Sequence, residues 1–423
     1  MTSMSISESD DPLQHFDHHS EEHAQDPVGD FRAIRERGGF LRSDSHGGFT
    51  TLARYEDVVS VAKNHGQFSN ANELPGGDGF GGGVTLPHNP SAPRMSLAEM
   101  DPPEWHRIRR LLSSSLSNDA VKRFAPQILR VVNELIDRFI ESGRCDLVFD
   151  ICSPVPAIVT LEYLGLPTAE WERWAVPIHT SVYTSRVPGS PDFVKLNESF
   201  EWIFEQIREA IADRHRSPRP NDLITDFIRD DGDGPVMDDD LAFETVYTML
   251  AAGVDTTTTL LSTTLFHLSE NPHHRAELIE NPSLLDTAAD EFLRFYSPVQ
   301  TTARTAIEDA EVSNETFHRG DRILLAWASA NRDEHRFPEP DEFKLDRESN
   351  RHLSFGHGIH RCIGAPLARQ EFIIVMSEIL RRLPDFVVDQ AQSPMYPDVG
   401  LMLGYQRMPA TFTPGVVETR SNH

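Results

Sequence analysis

The sequence predicts a mainly α fold with a small β part, and two observations carry that expectation. Between Pro102 and Leu383 apolar residues recur at helical spacing, above all in 121–139, 196–215, 241–268 and 366–383. Strand signals, by contrast, are confined to short pieces such as 322–327. Helices in this proportion pack mainly on one another, with strands as a minor layer. At 423 residues the chain can form two average domains or one large helical body. The expected organisation is an acidic, flexible segment over 1–30, a single domain over 31–415 and a short tail over 416–423.

The elements follow in order. His15, His18, His19 and His23 could bind a metal, but they lie among Asp, Glu and Ser with no sign of burial, so a solvated tail is expected. A helical pattern begins near 30–37, and 48–53 and the Thr85 region read as short strands or extended loop. The glycines of 76–83, followed by Pro87, Pro90 and Pro93, exclude regular structure and predict a mobile loop. A phosphate cradle does not fit there, because no strand leads in and no Gly-Lys-Ser/Thr follows. The break Pro188-Gly189-Ser190-Pro191 makes 171–215 a helix, loop and helix that could move as a lid. The helix over 241–268 has Asp238, Asp239 and Asp240 at its start, supplying a cap and negative charge where the helix dipole favours it. A further helix over 284–296 must end before Pro298.

Composition narrows the function. Asp and Glu number 66 against 39 Lys and Arg, a formal net charge of −27, which argues against general affinity for nucleic acid or anionic membrane. No signal peptide and no run of roughly 18 apolar residues is visible, so a cytoplasmic protein is expected. The three cysteines, Cys145, Cys152 and Cys362, are too few and too unevenly spaced for a disulfide framework or a zinc cage. Cys145 and Cys152 read as packing residues.

Cys362 is different. It sits in Phe355-Gly356-His357-Gly358-Ile359-His360-Arg361-Cys362-Ile363-Gly364, fenced by glycines and followed at once by an apolar helix. Such glycines let the backbone turn tightly against a flat cofactor, and the amides opening the next helix favour a thiolate. In the middle of 241–268 stands Ala252-Gly253-Val254-Asp255-Thr256-Thr257-Thr258-Thr259, an expensive choice for a helix interior. It reads either as a functional site or as a wet, exposed threonine face, and these residues alone do not separate the two. Glu291 and Arg294, three apart, share a helix face and can pair. Arg109, Arg304 and His360 together could neutralise the carboxylates of an anionic cofactor.

Assembled, these residues resemble the bacterial cytochromes P-450, the haem-thiolate monooxygenases, over nearly the whole chain. The run Phe355 to Gly364 matches that family's Phe-Gly-x-Gly-x-His-x-Cys-x-Gly pattern in full. The resemblance implies that Cys362 ligates the iron of haem b (iron protoporphyrin IX), with Phe355, Gly356, Gly364, Ala252 and Gly253 around it. Asp255 and Thr256 would handle protons during cleavage of the O–O bond of O2. Glu291, Arg294 and Arg347 would hold the cysteine side together, and Arg109, Arg304 and His360 would meet the haem propionates. Trp105 departs from the pattern, standing where many relatives carry histidine; His106 is one residue out of phase with that slot.

The resemblance further implies a lipophilic small-molecule substrate, oxidised by hydroxylation or epoxidation and contacted by Phe80, Val84, Tyr183, Thr248, Ala251, Val299, Gln300, Thr301, Met402 and Leu403. Electrons would come from a separate ferredoxin or flavodoxin with its reductase, docking on Arg107, Arg110, Arg361 and Arg369. Two other readings of the cysteine remain at this point. A haem-based gas sensor would need the thiolate without Asp255 and Thr256, and a haem-free thiol enzyme would need a base such as His360.

Overall fold

The computed structural model describes residue 13 and residues 15–73, 82–89, 92–184, 190–230, 232 and 235–418. The mainly α expectation holds, and the organising element is the central helix Asp239–Glu270. Its 32 residues span roughly 48 Å. Asp238 caps it, its carboxylate accepting from Leu241 N at 2.8 Å. Such a cap is worth about 1 kcal/mol. Leu241, Val246, Leu250, Leu260, Leu265 and Leu268 are all buried along it, so this helix lies within the core rather than over it. Helices Pro154–Leu164, Pro191–Arg216 and Ala365–Arg382 pack against it.

The expected boundaries are close to those observed. The 121–139 pattern is the helix Asn118–Asp137, capped by the Ser117 hydroxyl. The 196–215 pattern is Pro191–Arg216, capped by Ser190 with Pro191 at its first position, where a missing N–H costs nothing. The other half of the expected lid is Trp171–Ser181. Helix Leu285–Tyr296 ends at Ser297, which turns into the left-handed region at φ 46° one residue before Pro298.

The β part is a five-stranded sheet in the order Phe40–Ser43, Phe49–Leu52, Arg322–Ala326, Thr301–Ala306, Phe68–Ser69. Only the pairing of Phe49–Leu52 with Arg322–Ala326 is parallel. A smaller sheet joins Arg144–Asp146, Pro409–Thr411 and Val387–Val388.

Of the two readings of the Thr85 region, short strand or extended loop, the structure bears out the loop: it makes one backbone bond to the sheet, Ala303 N to Val84 O, and the Arg322 guanidinium serves the carbonyls of Gly82, Gly83 and Thr85. One expectation is corrected: residues 15–30 are not a loose tail. Leu13 and Phe16 pack with Phe31, Ile34, Phe49 and Leu86, and His18 and His23 are buried. His23 Nδ1 bonds Asp30 and His19 Nδ1 bonds Asp398, each at 2.8 Å, while His15 stays exposed. Leu13 and Phe16 anchor a segment whose composition is otherwise that of a solvated chain. The glycines 76–81 and the Pro188-Gly189 break lie outside the described residues.

Candidate active site

The cysteine loop is closed by Cys362 N donating to Phe355 O and Gly356 N donating to Leu353 O, both at 2.7 Å. Gly356 and Gly358 adopt φ of 69° and 72°. At Gly358 a Cβ would lie 2.1 Å from the carbonyl oxygen of Ala62, so the loop rests directly on the backbone of helix Tyr55–Lys63, an approach only glycine permits. Cys362 is enclosed by protein, yet its side chain is open toward an interior cavity of about 340 Å³. Burial pushes its thiol up, while the N–H groups of Gly364 and Ala365 and the charges of Arg109 and Arg361 pull it toward the thiolate. Those amides open helix Ala365–Arg382, whose dipole acts in the same sense.

The same cavity is bounded by Phe355, Gly356 and Gly364 from the loop and by Thr248, Ala252, Gly253 and Thr256 from the central helix. The threonine run is not a wet face, since Thr257, Thr258 and Thr259 are buried. Thr256 Oγ1 donates to Ala252 O at 2.8 Å and Thr258 Oγ1 to Val254 O at 3.0 Å, so the helix's own carbonyls satisfy these hydroxyls.

Asp255 lies on the other side of the helix, buried and away from the cavity. Its Oδ1 is 2.6 Å from His179 Nδ1, and its carboxylate is 3.3 Å from the Tyr396 hydroxyl. Burial works against charge on His179, but the Asp255 carboxylate outweighs it and raises the imidazole above its usual range. Burial and the same carboxylate raise Tyr183 to about 12. Sequence spacing missed His179 and Tyr396. His179 falls on the apolar stripe of Trp171, Trp174, Ala175 and Ile178, and that placement was its one legible signal.

The cysteine side is tied by a buried carboxylate. Glu291 accepts from Arg294 Nε and Nη2 at 2.8 Å each, from Arg347 Nε at 2.9 and 3.0 Å, from Asn350 Nδ2 at 3.0 Å and from Lys344 N at 3.0 Å. Arg294 also donates to Asn331 O at 3.0 Å. Asn331 in turn holds Leu353 N and the Ser354 hydroxyl, so the network runs to the edge of the cysteine loop. Asn331 was not foreseen.

Four further groups stand near the cavity. Arg304 lines it, and burial lowers its guanidinium to about 10 against the opposing charge of Asp101. His360 lines it too; among the described residues neither of its ring nitrogens meets hydrogen-bond geometry with a partner, and burial, with Arg304 adding, lowers it to about 3. Trp105 packs edge-on against His360 at 5.8 Å, its indole nitrogen also buried and, among the described residues, without a partner. Arg109 donates to Arg361 O at 2.7 Å, beside the cysteine. Unpaired donors and a desolvated cation around a thiol-bearing cavity fit a flat, anionic, iron-centred macrocycle.

Of the expected substrate contacts, Val84, Thr248 and Val299 line the cavity. Tyr183 instead packs on Tyr396 and His179, Thr301 bonds Gly400 O, and Gln300 is spent on Tyr296 O. Ala251, Met402 and Leu403 are not among the lining residues, and Phe80 lies outside the described residues. Of the expected docking arginines, Arg110 and Arg361 are exposed. Arg107 is exposed as well but donates to Val236 O, and Arg369 grips Asp290 through both terminal nitrogens. Glu371, unforeseen, lines the cavity while buried from solvent; Gly364, Leu367, Ala368 and Glu371 recur at helical spacing on that face. Cys152 is buried and Cys145 partly so, as packing residues should be.

Among the described residues no helix is long and apolar enough to cross a membrane. A family profile described as Cytochrome P450 matches residues 189–408. The steroid C26-monooxygenase of Mycobacterium tuberculosis is 32% identical over 373 residues, covering 87% of this chain and 95% of that protein. The mycinamicin IV hydroxylase/epoxidase of Micromonospora griseorubida is 30% identical over 339 residues, covering 79% and 81%. Among solved structures, cytochrome P450 CYP109Q5 from Chondromyces apiculatus superposes with a TM-score of 0.81 at 28% identity, covering 95% of this chain and 99% of that one. A cysteine loop of this geometry, a cavity fitted to haem b and these likenesses together establish that the chain belongs to the cytochrome P450 family of haem-thiolate oxygenases.

Proposed function

We propose that this protein acts in the cytoplasm, inserting one atom of O2 into a lipophilic small organic molecule, by hydroxylation or epoxidation, with electrons from a separate ferredoxin or flavodoxin and its reductase. The observation that carries this reading is that Cys362 and Thr256 bound one cavity, with Asp255 one residue behind in a buried cluster able to hold a proton. Haem b, when bound, supplies an iron whose thiolate ligand favours cleavage of the O–O bond. Cys362 would hold the iron, and Arg304, His360, Trp105 and Arg109 would hold the carboxylates.

The protein's own residues then manage protons. Because the Thr256 hydroxyl hydrogen is spent on Ala252 O, its oxygen is left as an acceptor toward the cavity, suited to hold a protonated oxygen or a water. Asp255 can take a proton from His179 and, by turning about its Cα–Cβ bond, carry it toward the cavity side of the helix. Val84, Leu97, Met249 and Val299 give the cavity an apolar lining, which suits a lipophilic guest. Relatives named for a steroid and for mycinamicin IV support that class, and the latter's name includes both hydroxylation and epoxidation. For the electron carrier, Arg110 and Arg361 offer local positive charge on an acidic protein.

Thr256→Ala is expected to retain haem but divert reductant into hydrogen peroxide, read as product formed per reductant consumed. Unchanged coupling would refute the role given to the hydroxyl. A lipophilic library screened by shifts of the haem absorption band identifies the guest; a library that leaves the band unmoved while polar compounds shift it would overturn the substrate class.

A further inference from the structure

We propose that Asp17, His18 and His46 form a second metal site, independent of haem, that takes a divalent transition ion of zinc type. The ligand-capable atoms of these three residues all lie within 4.8 Å of one another. His18 is 1% exposed, and its Nε2 is 2.9 Å from Leu86 O. A carbonyl can only accept, so the ring proton sits on Nε2 and Nδ1 is left as a bare lone pair. Among the described residues nothing donates to that buried Nδ1. An unmet buried acceptor is costly. A metal ion can take that lone pair, and Leu86 O would then be the outer group that orients a ligating histidine.

The other two ligands converge on the same place. His46, at a left-handed φ of 51° in the turn Ser45–Gly47, sets its ring 5.7 Å from that of His18, nearly perpendicular. Its Nε2 is 2.7 Å from Asp17 Oδ1. His19 N also donates to Asp17 Oδ1 at 2.8 Å, which fixes the carboxylate beside the two rings. The side chains of His46 and Asp17 are 21% and 31% exposed, which gives an ion a way in and leaves room for water in the remaining positions. On binding, His46 would release to water the Nε2 proton it now donates to Asp17, its remaining ring proton standing on Nδ1, and Nε2 and the Asp17 carboxylate would turn from each other to the ion. Two imidazoles and a carboxylate suit zinc-type ions. His19 is adjacent but committed, with Nδ1 on Asp398 and Nε2 on Leu86 O. The ion would clip the segment ahead of helix Pro27–Glu36 to the turn between the first two sheet strands.

The test uses untagged, haem-loaded protein treated with chelator and titrated with Zn2+ in a calorimeter. One equivalent is expected to bind, with a rise in thermal midpoint, and His46→Gln should weaken binding by roughly tenfold or more. Haem content and the absorption of the reduced carbonyl complex should not change. His335→Gln, in the exposed cluster Asp333, Glu334 and His335, should leave Zn2+ binding as it is. Since His18→Gln could disturb folding, the partly exposed His46 and an Asp17→Asn variant carry the comparison. Equal Zn2+ uptake by wild type and both variants, or none by wild type, would overturn the site.

Discussion

Glu291 and Asp255 are both carboxylates withdrawn from water, one serving the cysteine side of the cavity and the other the central helix, and their company is opposite in kind. Glu291 is met by two guanidinium groups, an amide side chain and a backbone N–H. Asp255 is met by one imidazole and one phenol. A guanidinium never gives up its proton at ordinary pH, so the first arrangement can hold geometry but cannot move charge. Histidine gains and loses protons near neutrality, so the second can. In the function proposed above, the same functional group would thus serve as a bracket in one place and a relay in the other, decided by its donors.

The largest effect that would sharpen this contrast is expected from Glu291→Ala. It strands Arg294 and Arg347 without their counter-charge, and breaking a buried pair in this way costs about 3–5 kcal/mol. The denaturation midpoint of the haem-loaded protein should drop accordingly; a loss below ~1 kcal/mol would mean the bracket is dispensable. Next comes Asp255→Asn, which keeps size and hydrogen bonding but cannot carry a proton. Product formation should slow on the order of 100-fold, with little change in thermal stability. An unchanged rate would break the relay half of the comparison.

The smallest effect concerns a third buried carboxylate, Glu371. Burial raises it from 4.5 to about 8, with only the Thr257 hydroxyl bond opposing. Its folded-state value lies above its unfolded one, so its contribution to stability is fully present below pH 4.5 and is lost as pH rises toward 8. Glu371→Gln should flatten the fall in melting temperature across that window. Identical slopes in the two proteins would show that Glu371 does not titrate there.

How much of this was legible in the sequence depended on the distance between partners. Helix positions, the cap at Asp238 and the end before Pro298 are local, and they were readable. Glu291 and Arg294 lie three apart and were readable as a pair, whereas Arg347 was placed only by resemblance. The Asp255 cluster draws on His179 and Tyr396, 76 and 141 residues away, and no periodicity encodes such a meeting. The histidines near the N-terminus were misread for the same reason. Their burial depends on Phe49, Leu86 and Asp398, none of which their own neighbourhood announces.

Gly358 rests on the carbonyl of Ala62 with no side chain between. A contact between two backbones has no rotamers with which to absorb a shift. Helix Tyr55–Lys63 packs in the apolar cluster beside the sheet, with Leu52, Phe68 and Ile323. A substitution that moves that helix by a few tenths of an ångström would therefore reach the loop bearing Cys362 undamped. Residues of the small β region, remote from substrate and oxygen alike, would then act as tuning positions for the electronic character of the thiolate.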